Sequence, residues 1–193
     1  VSKRSEAAPP RVWSRSVRLL HLGLIGSVTV AWVFREDLGP AHEVAGYVAL
    51  GAAALRCAIG LAGRGHARFG QFVRAPSDTL GYARQVLRGT APRYIGHNPL
   101  GGWMVLALLG CIGLLGASGW LYTTDLFWGY GWLAWLHAAL GWTLLALVAL
   151  HVGGVVFTSI AHRENLVKAM LTGRKAPPGP GDVDGSQPSG QNP

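Results

Sequence analysis

Four long apolar runs, almost free of charge, alternate along the chain with shorter polar stretches. A helix crossing a hydrocarbon layer ~30 Å thick needs about 20 apolar residues. The runs meet that length and predict helical spans over about residues 16–34, 41–62, 98–122 and 131–161. The third span has its own start signal: in His97-Asn98-Pro99, Asn98 suits the N-cap and Pro99 the first helical position. Its many glycines permit close helix packing.

Between the second and third runs lies a polar, Arg-rich linker, 63–97. Ser77 as N-cap, Asp78 in the first turn and Gly89 at the end predict a short amphipathic helix there. Leu80, Val86 and Leu87 would dip into the interface while Arg84 and Arg88 meet lipid phosphates; a solvated connecting helix fits the same pattern. Residues 1–14 are polar and basic, with Trp13 expected at the interface. Residues 173–193, rich in Pro, Gly and Ser, are expected to form a disordered tail. The domain is then 15–172, an all-α integral membrane four-helix bundle.

Composition agrees. Only 13% of the 193 residues are charged, against about a quarter in soluble domains. A net charge of +8 would suit a nucleic-acid partner, but its distribution does not. Five basic residues precede or open the first span, six lie in the linker and four follow the fourth span. The loops on the opposite side hold only Arg35, and Arg56 lies inside the second span. The positive-inside rule puts both termini in the cytoplasm. The first run follows a basic segment as a signal peptide would, yet no small-residue cleavage site follows it, so an uncleaved span is expected. Trp120, Tyr122, Trp128, Tyr130, Trp132 and Trp135 predict an aromatic belt at the other face. Cys57 and Cys111 fall in apolar runs, without a C-x-x-C-H or an iron–sulfur cluster pattern, and read as buried thiols.

The chemistry sits on the fourth span. His137 and His151 are fourteen residues apart. Fourteen helical steps return to within roughly 40° of the same face, about 21 Å further along. Histidine in a bilayer is costly and needs a partner. Alternating topology places His42 level with His137 near the periplasmic side, and His21 level with His151 towards the cytoplasm. Each pair joins two helices, which suits a planar cofactor with one axial imidazole on each side. Haem b fits, whereas zinc usually takes four compact ligands. Arg56, fourteen residues after His42, needs an anion in that setting. A haem propionate would serve; a carbonyl-bound or snorkelling arginine is the alternative. His97 lies at the cytoplasmic start of span three and could compete with His21 for His151. An interfacial role is favoured, hydrogen-bonding a propionate or a quinone carbonyl. His66 and His162 read as surface histidines.

Leu20-His21 after a basic N-terminus, His42-Glu43-x-x-Gly46-Tyr47 with Arg56, Gly96-His97-Asn98-Pro99-Leu100-Gly101, and His137 with His151 resemble the bacterial cytochrome b561 and nickel–iron hydrogenase cytochrome b family, over about Val12 to Leu171. The resemblance implies a four-helix cytochrome of the bacterial inner membrane with two non-covalent haems b, ligated by His21, His42, His137 and His151. Arg56 and His97 are the further cofactor-binding candidates. Implied partners are membrane lipid, a quinone and a periplasmic redox protein such as a c-type cytochrome, with no nucleic acid and with a homodimer among the possibilities. An electron-transfer cytochrome or oxidoreductase subunit is expected rather than a stand-alone enzyme. Two alternatives stay within the family: a quinone reductase for a small periplasmic reductant such as superoxide, and a hydrogenase or dehydrogenase subunit. A haem-free channel or transporter using His as a relay is the rival outside it.

Overall fold

The computed structural model describes residues 10–36 and 39–184. Seven helices follow one another among these: α1 (Arg15–Val33), α2 (Pro40–Ala62), α3 (Phe69–Phe72), α4 (Pro76–Leu87), α5 (Pro99–Tyr122), α6 (Gly131–Ala161) and α7 (Leu166–Thr172). α1, α2, α5 and α6 are long and apolar enough to cross a membrane, and lie where the apolar runs place them. Side chains cap two of them, α1 and α5: Ser14 Oγ accepts from the Val17 N–H at 3.3 Å, and Asn98 Oδ1 from the Gly101 N–H at 2.7 Å. Pro40 and Pro99 open α2 and α5, where a missing N–H leaves nothing unpaired.

α1 packs along α2, α2 against α5 and α5 against α6. Small residues make the contacts close, since Ala45, Ala49, Ala53 and Gly60 form a buried stripe on α2. Ala49 and Ala53 meet Leu109, Cys111 and Ile112 of α5 and Leu144 of α6 in the main core. Cys57 and Cys111 are free thiols. No comparable packing joins α6 to α1 or α2. Outward-facing Leu19, Ile25, Val48, Leu114, Leu150 and Phe157 are about half exposed or more, as an outer surface solvated by lipid requires. Trp120, Trp128, Tyr130, Trp132 and Trp135 are also exposed, at the end of the bundle opposite the 63–97 linker.

The other, basic end carries a folded cap. A 3-10 turn (Gly65–Ala67) and α3 wedge the linker beneath the spans. Phe69 lies against Gly60, and a side chain on Gly102 would put its Cβ 2.7 Å from the Phe72 carbonyl oxygen, so α5 is glycine there because backbone meets backbone. α4 forms, but its start differs from expectation: Pro76 opens it and Ala75 is the N-cap, while Ser77 lies inside the first turn. Leu80 and Leu87 are exposed and Val86 is half-buried, whereas Tyr82 is buried and packs edge-on to Tyr94 at 5.4 Å.

The first and last described segments, residues 10–13 and 173–184, join this cap. The N–H groups of Val12 and Trp13 donate to the Gly173 carbonyl, and Val12, Trp13 and Ile95 form a second small core with Met170. Trp13 is therefore buried rather than interfacial. Residues 173–184, expected within a disordered tail, are held by specific charges; 185–193 lie outside the described residues. Arg93 bonds Glu164 at 2.8 Å and pairs with Asp182, and the buried Lys175 ammonium lies 3.4 Å from Glu164. Composition hid this order, because a few buried charges outweigh a Pro- and Gly-rich background. His66 is also no surface residue: its side chain is 19% exposed and its Nε2 meets Asp184 at 3.3 Å. His162 is half-buried.

Candidate cofactor site: two histidine pairs between the helices

Towards the aromatic end, His42 of α2 faces His137 of α6, with ring centroids 6.0 Å apart. Towards the basic end, His21 of α1 faces His151 of α6, with centroids 6.3 Å apart. Both pairs span the gap where the α6 backbone stands off from α1 and α2. Between the two levels, Trp32 of α1 meets Trp142 of α6 edge-to-face at 5.0 Å.

Hydrogen bonds fix the tautomers at the aromatic end. His42 Nδ1 lies 2.8 Å from the Ala31 carbonyl oxygen, which can only accept, so the proton is on Nδ1. Ser118 Oγ donates its one proton to the Leu115 carbonyl at 3.1 Å and accepts from His137 Nδ1–H at 2.9 Å. Each ring therefore keeps an unprotonated Nε2. That is the state of a metal-ligating imidazole steered by a second hydrogen bond. Gly119 makes room for it, since a Cβ there would lie 3.1 Å from His137 Cε1. At the basic end His21 Nδ1 is buried without a hydrogen-bond partner.

The model for prokaryotic cytochrome b561 matches residues 12–173. The chain belongs to the prokaryotic cytochrome b561 family. No curated protein and no solved structure gives a significant match. As a prokaryotic cytochrome b561, the chain is a multi-pass membrane protein whose cofactor is haem b and whose work is electron transfer.

The residues fit such a group. An imidazole nitrogen sits about 2 Å from a first-row metal and ~1.1 Å from its own ring centre, so two trans imidazoles on one metal place their centroids ~6 Å apart. Both pairs in this b561 protein have that spacing. Among the described residues no three of His, Cys, Asp and Glu converge as a compact metal site would need. Each pair could hold one such group between its two imidazoles.

Arg56 is buried, with 6% exposure. Its Nη1 donates to the Ala67 carbonyl at 3.2 Å, and its guanidinium lies 5.1 Å from the centre of the Phe69 ring. Linker and arginine hold each other, which matches the carbonyl-bound alternative; one carbonyl occupies only part of a five-donor group. His97 packs between Trp13 and Phe72, with ring centroids at 4.7 and 4.5 Å, and its Nδ1 is buried without a partner. Burial holds its imidazole neutral by lowering its pKa to about 3, with Arg56, Lys175, His151 and His66 adding repulsion. Sequence reasoning missed the Ala31 carbonyl, Ser118 and the tryptophan pair. Ser118 left a trace, as a hydroxyl within an apolar, Gly-rich span; a backbone carbonyl leaves none.

Proposed function

We propose that the protein holds two haems b, one between His42 and His137 and one between His21 and His151, and carries electrons across the bacterial inner membrane between a quinone and a periplasmic redox protein. Haem b held by two imidazoles supplies reversible one-electron exchange without an open iron position for oxygen. The observation that carries the reading is the matching ring separation of the two pairs, 6.0 and 6.3 Å, at two levels of one bundle. His42 and His137 present Nε2 because Ala31 and Ser118 hold Nδ1–H, so neither ring has to reorient. Trp32 and Trp142 meet edge-to-face between the two levels. Arg56 supplies positive charge near the basic end, where an anionic propionate would be balanced.

Basic residues in the cap orient that end to the cytoplasm and leave the aromatic end to the periplasm. The periplasmic loops are short, which favours a partner that docks transiently. A small anionic reductant such as superoxide finds little attraction there, because Arg35 is paired to Glu36 at 3.1 Å and stacked 4.8 Å from the Trp32 ring. Proteoliposomes test the reading. A quinol analogue in the bilayer should reduce the haems, followed by their change in absorbance, and through them an external c-type cytochrome. Haem that dithionite reduces but no quinol reduces would contradict it.

A further inference from the structure

Beneath the spans, a cavity of about 10 Å³ is lined by His66, Gln71, Phe72, Gly96 and His97. Two buried polar atoms among these residues have no hydrogen-bond partner, His97 Nδ1 and Gln71 Oε1. Each orphan of this kind costs about 1–3 kcal/mol if nothing satisfies it. The volume suits a single water molecule, and water enters a cavity only where polar partners await it. His66 approaches because residue 96 is glycine: a Cβ there would lie 2.9 Å from His66 Cδ2. On its outer side His66 Nε2 meets Asp184 at 3.3 Å. A carboxylate, an imidazole, a water-sized space and a second imidazole thus lie in order from the basic surface inward.

We propose that the cavity holds one water bonded to His97 Nδ1 and Gln71 Oε1, and that Asp184, His66, this water and His97 pass protons from the basic face into the bundle. Each member takes a proton on one side and releases one on the other, so no net charge rests on the chain. The charged or titratable groups that act electrostatically on His97 are Arg56 on α2, Lys175 on the C-terminal segment, His151 on α6 and His66 on the linker. Burial first, and then their positive or potentially positive charge, disfavours a resident imidazolium, so a proton moves through the ring instead of staying on it. The use of such a path rests on the quinone reading: a quinone that gains two electrons from the haems takes up two protons to become quinol. The relay itself does not depend on it.

The test follows exchange of the His97 ring N–H with D₂O by NMR, in haem-loaded protein labelled with ¹⁵N-histidine and reduced with dithionite. The His97 signal is assigned by its loss in His97→Gln. Exchange is expected to be fast in the unaltered protein despite burial. It should slow at least tenfold in Asp184→Asn and in His66→Gln, and small weak acids such as azide should restore it in Asp184→Asn. Gln71→Leu, which deletes one partner of the water, should slow it as well. Slow exchange in the unaltered protein, or rates unchanged in these variants, would overturn the relay. Quinone turnover measured on the same samples separates the two ideas, since its absence with fast exchange removes only the quinone reading.

Discussion

Ser118 has one proton and gives it to Leu115, which obliges it to accept from His137. Loss of such an outer hydrogen bond typically weakens metal binding about 10–100-fold. Ser118→Ala should therefore weaken retention of the haem at His42 and His137 by about that factor, measured by competition with a haem-binding apoprotein. Ser118→Thr, which keeps the hydroxyl, should restore it, and haem at His21 and His151 should be unaffected in both variants. Equal loss of both haems would instead point to damaged packing. At this scale the sequence shows the histidines well, because an imidazole in an apolar run is conspicuous. It does not show how each ring is turned. His42 is steered by a backbone carbonyl on another helix, and His66 and His97 are drawn under the bundle by a linker whose path depends on Phe69 and Phe72 fitting against Gly60 and Gly102.

Among the elements, the spans were legible because a bilayer imposes one length and one polarity on any helix that crosses it. The cap was not, since its stability comes from a few long-range charges. Burial alone would raise the Glu164 pKa, but the Arg93 hydrogen bonds, the Ala176 N–H and Lys175 together bring it below the usual carboxylate value. A carboxyl lowered on folding stabilises the fold above its unfolded pKa, and that contribution is lost as pH falls through the lower folded value. The cap should hold at neutral pH and loosen below about pH 4, the unfolded glutamate range. Hydrogen exchange at the Ile95, Lys175 and Val183 amides, corrected for intrinsic rates, would report the opening. Glu164→Gln leaves Arg93 and Lys175 short of a buried counter-charge and should cost the cap about 3 kcal/mol at pH 7. It should also flatten the acid response. An unchanged acid response in that variant would assign the transition to another group.

For the whole molecule, α6 is the organising element. Among the spans it runs closest along α5, reaches α1 and α2 through side chains such as Leu144 and Trp142, and presents His137 and His151 to a gap across which α2 and α1 return His42 and His21. The fourteen-residue spacing and the alternating topology make both pairs legible in the sequence, because helical period and membrane depth are set by the backbone. The most direct measurement is the haem-to-chain ratio of purified protein by pyridine haemochrome, taken with alanine variants of the four histidines. Two haems b per chain are expected, falling to one for His42→Ala, His137→Ala or their double variant, and to one for His21→Ala, His151→Ala or theirs. A double variant across the pairs should retain none. A ratio of one in the unaltered protein, or two haems retained in His21→Ala with one lost in His97→Ala, would contradict the assignment.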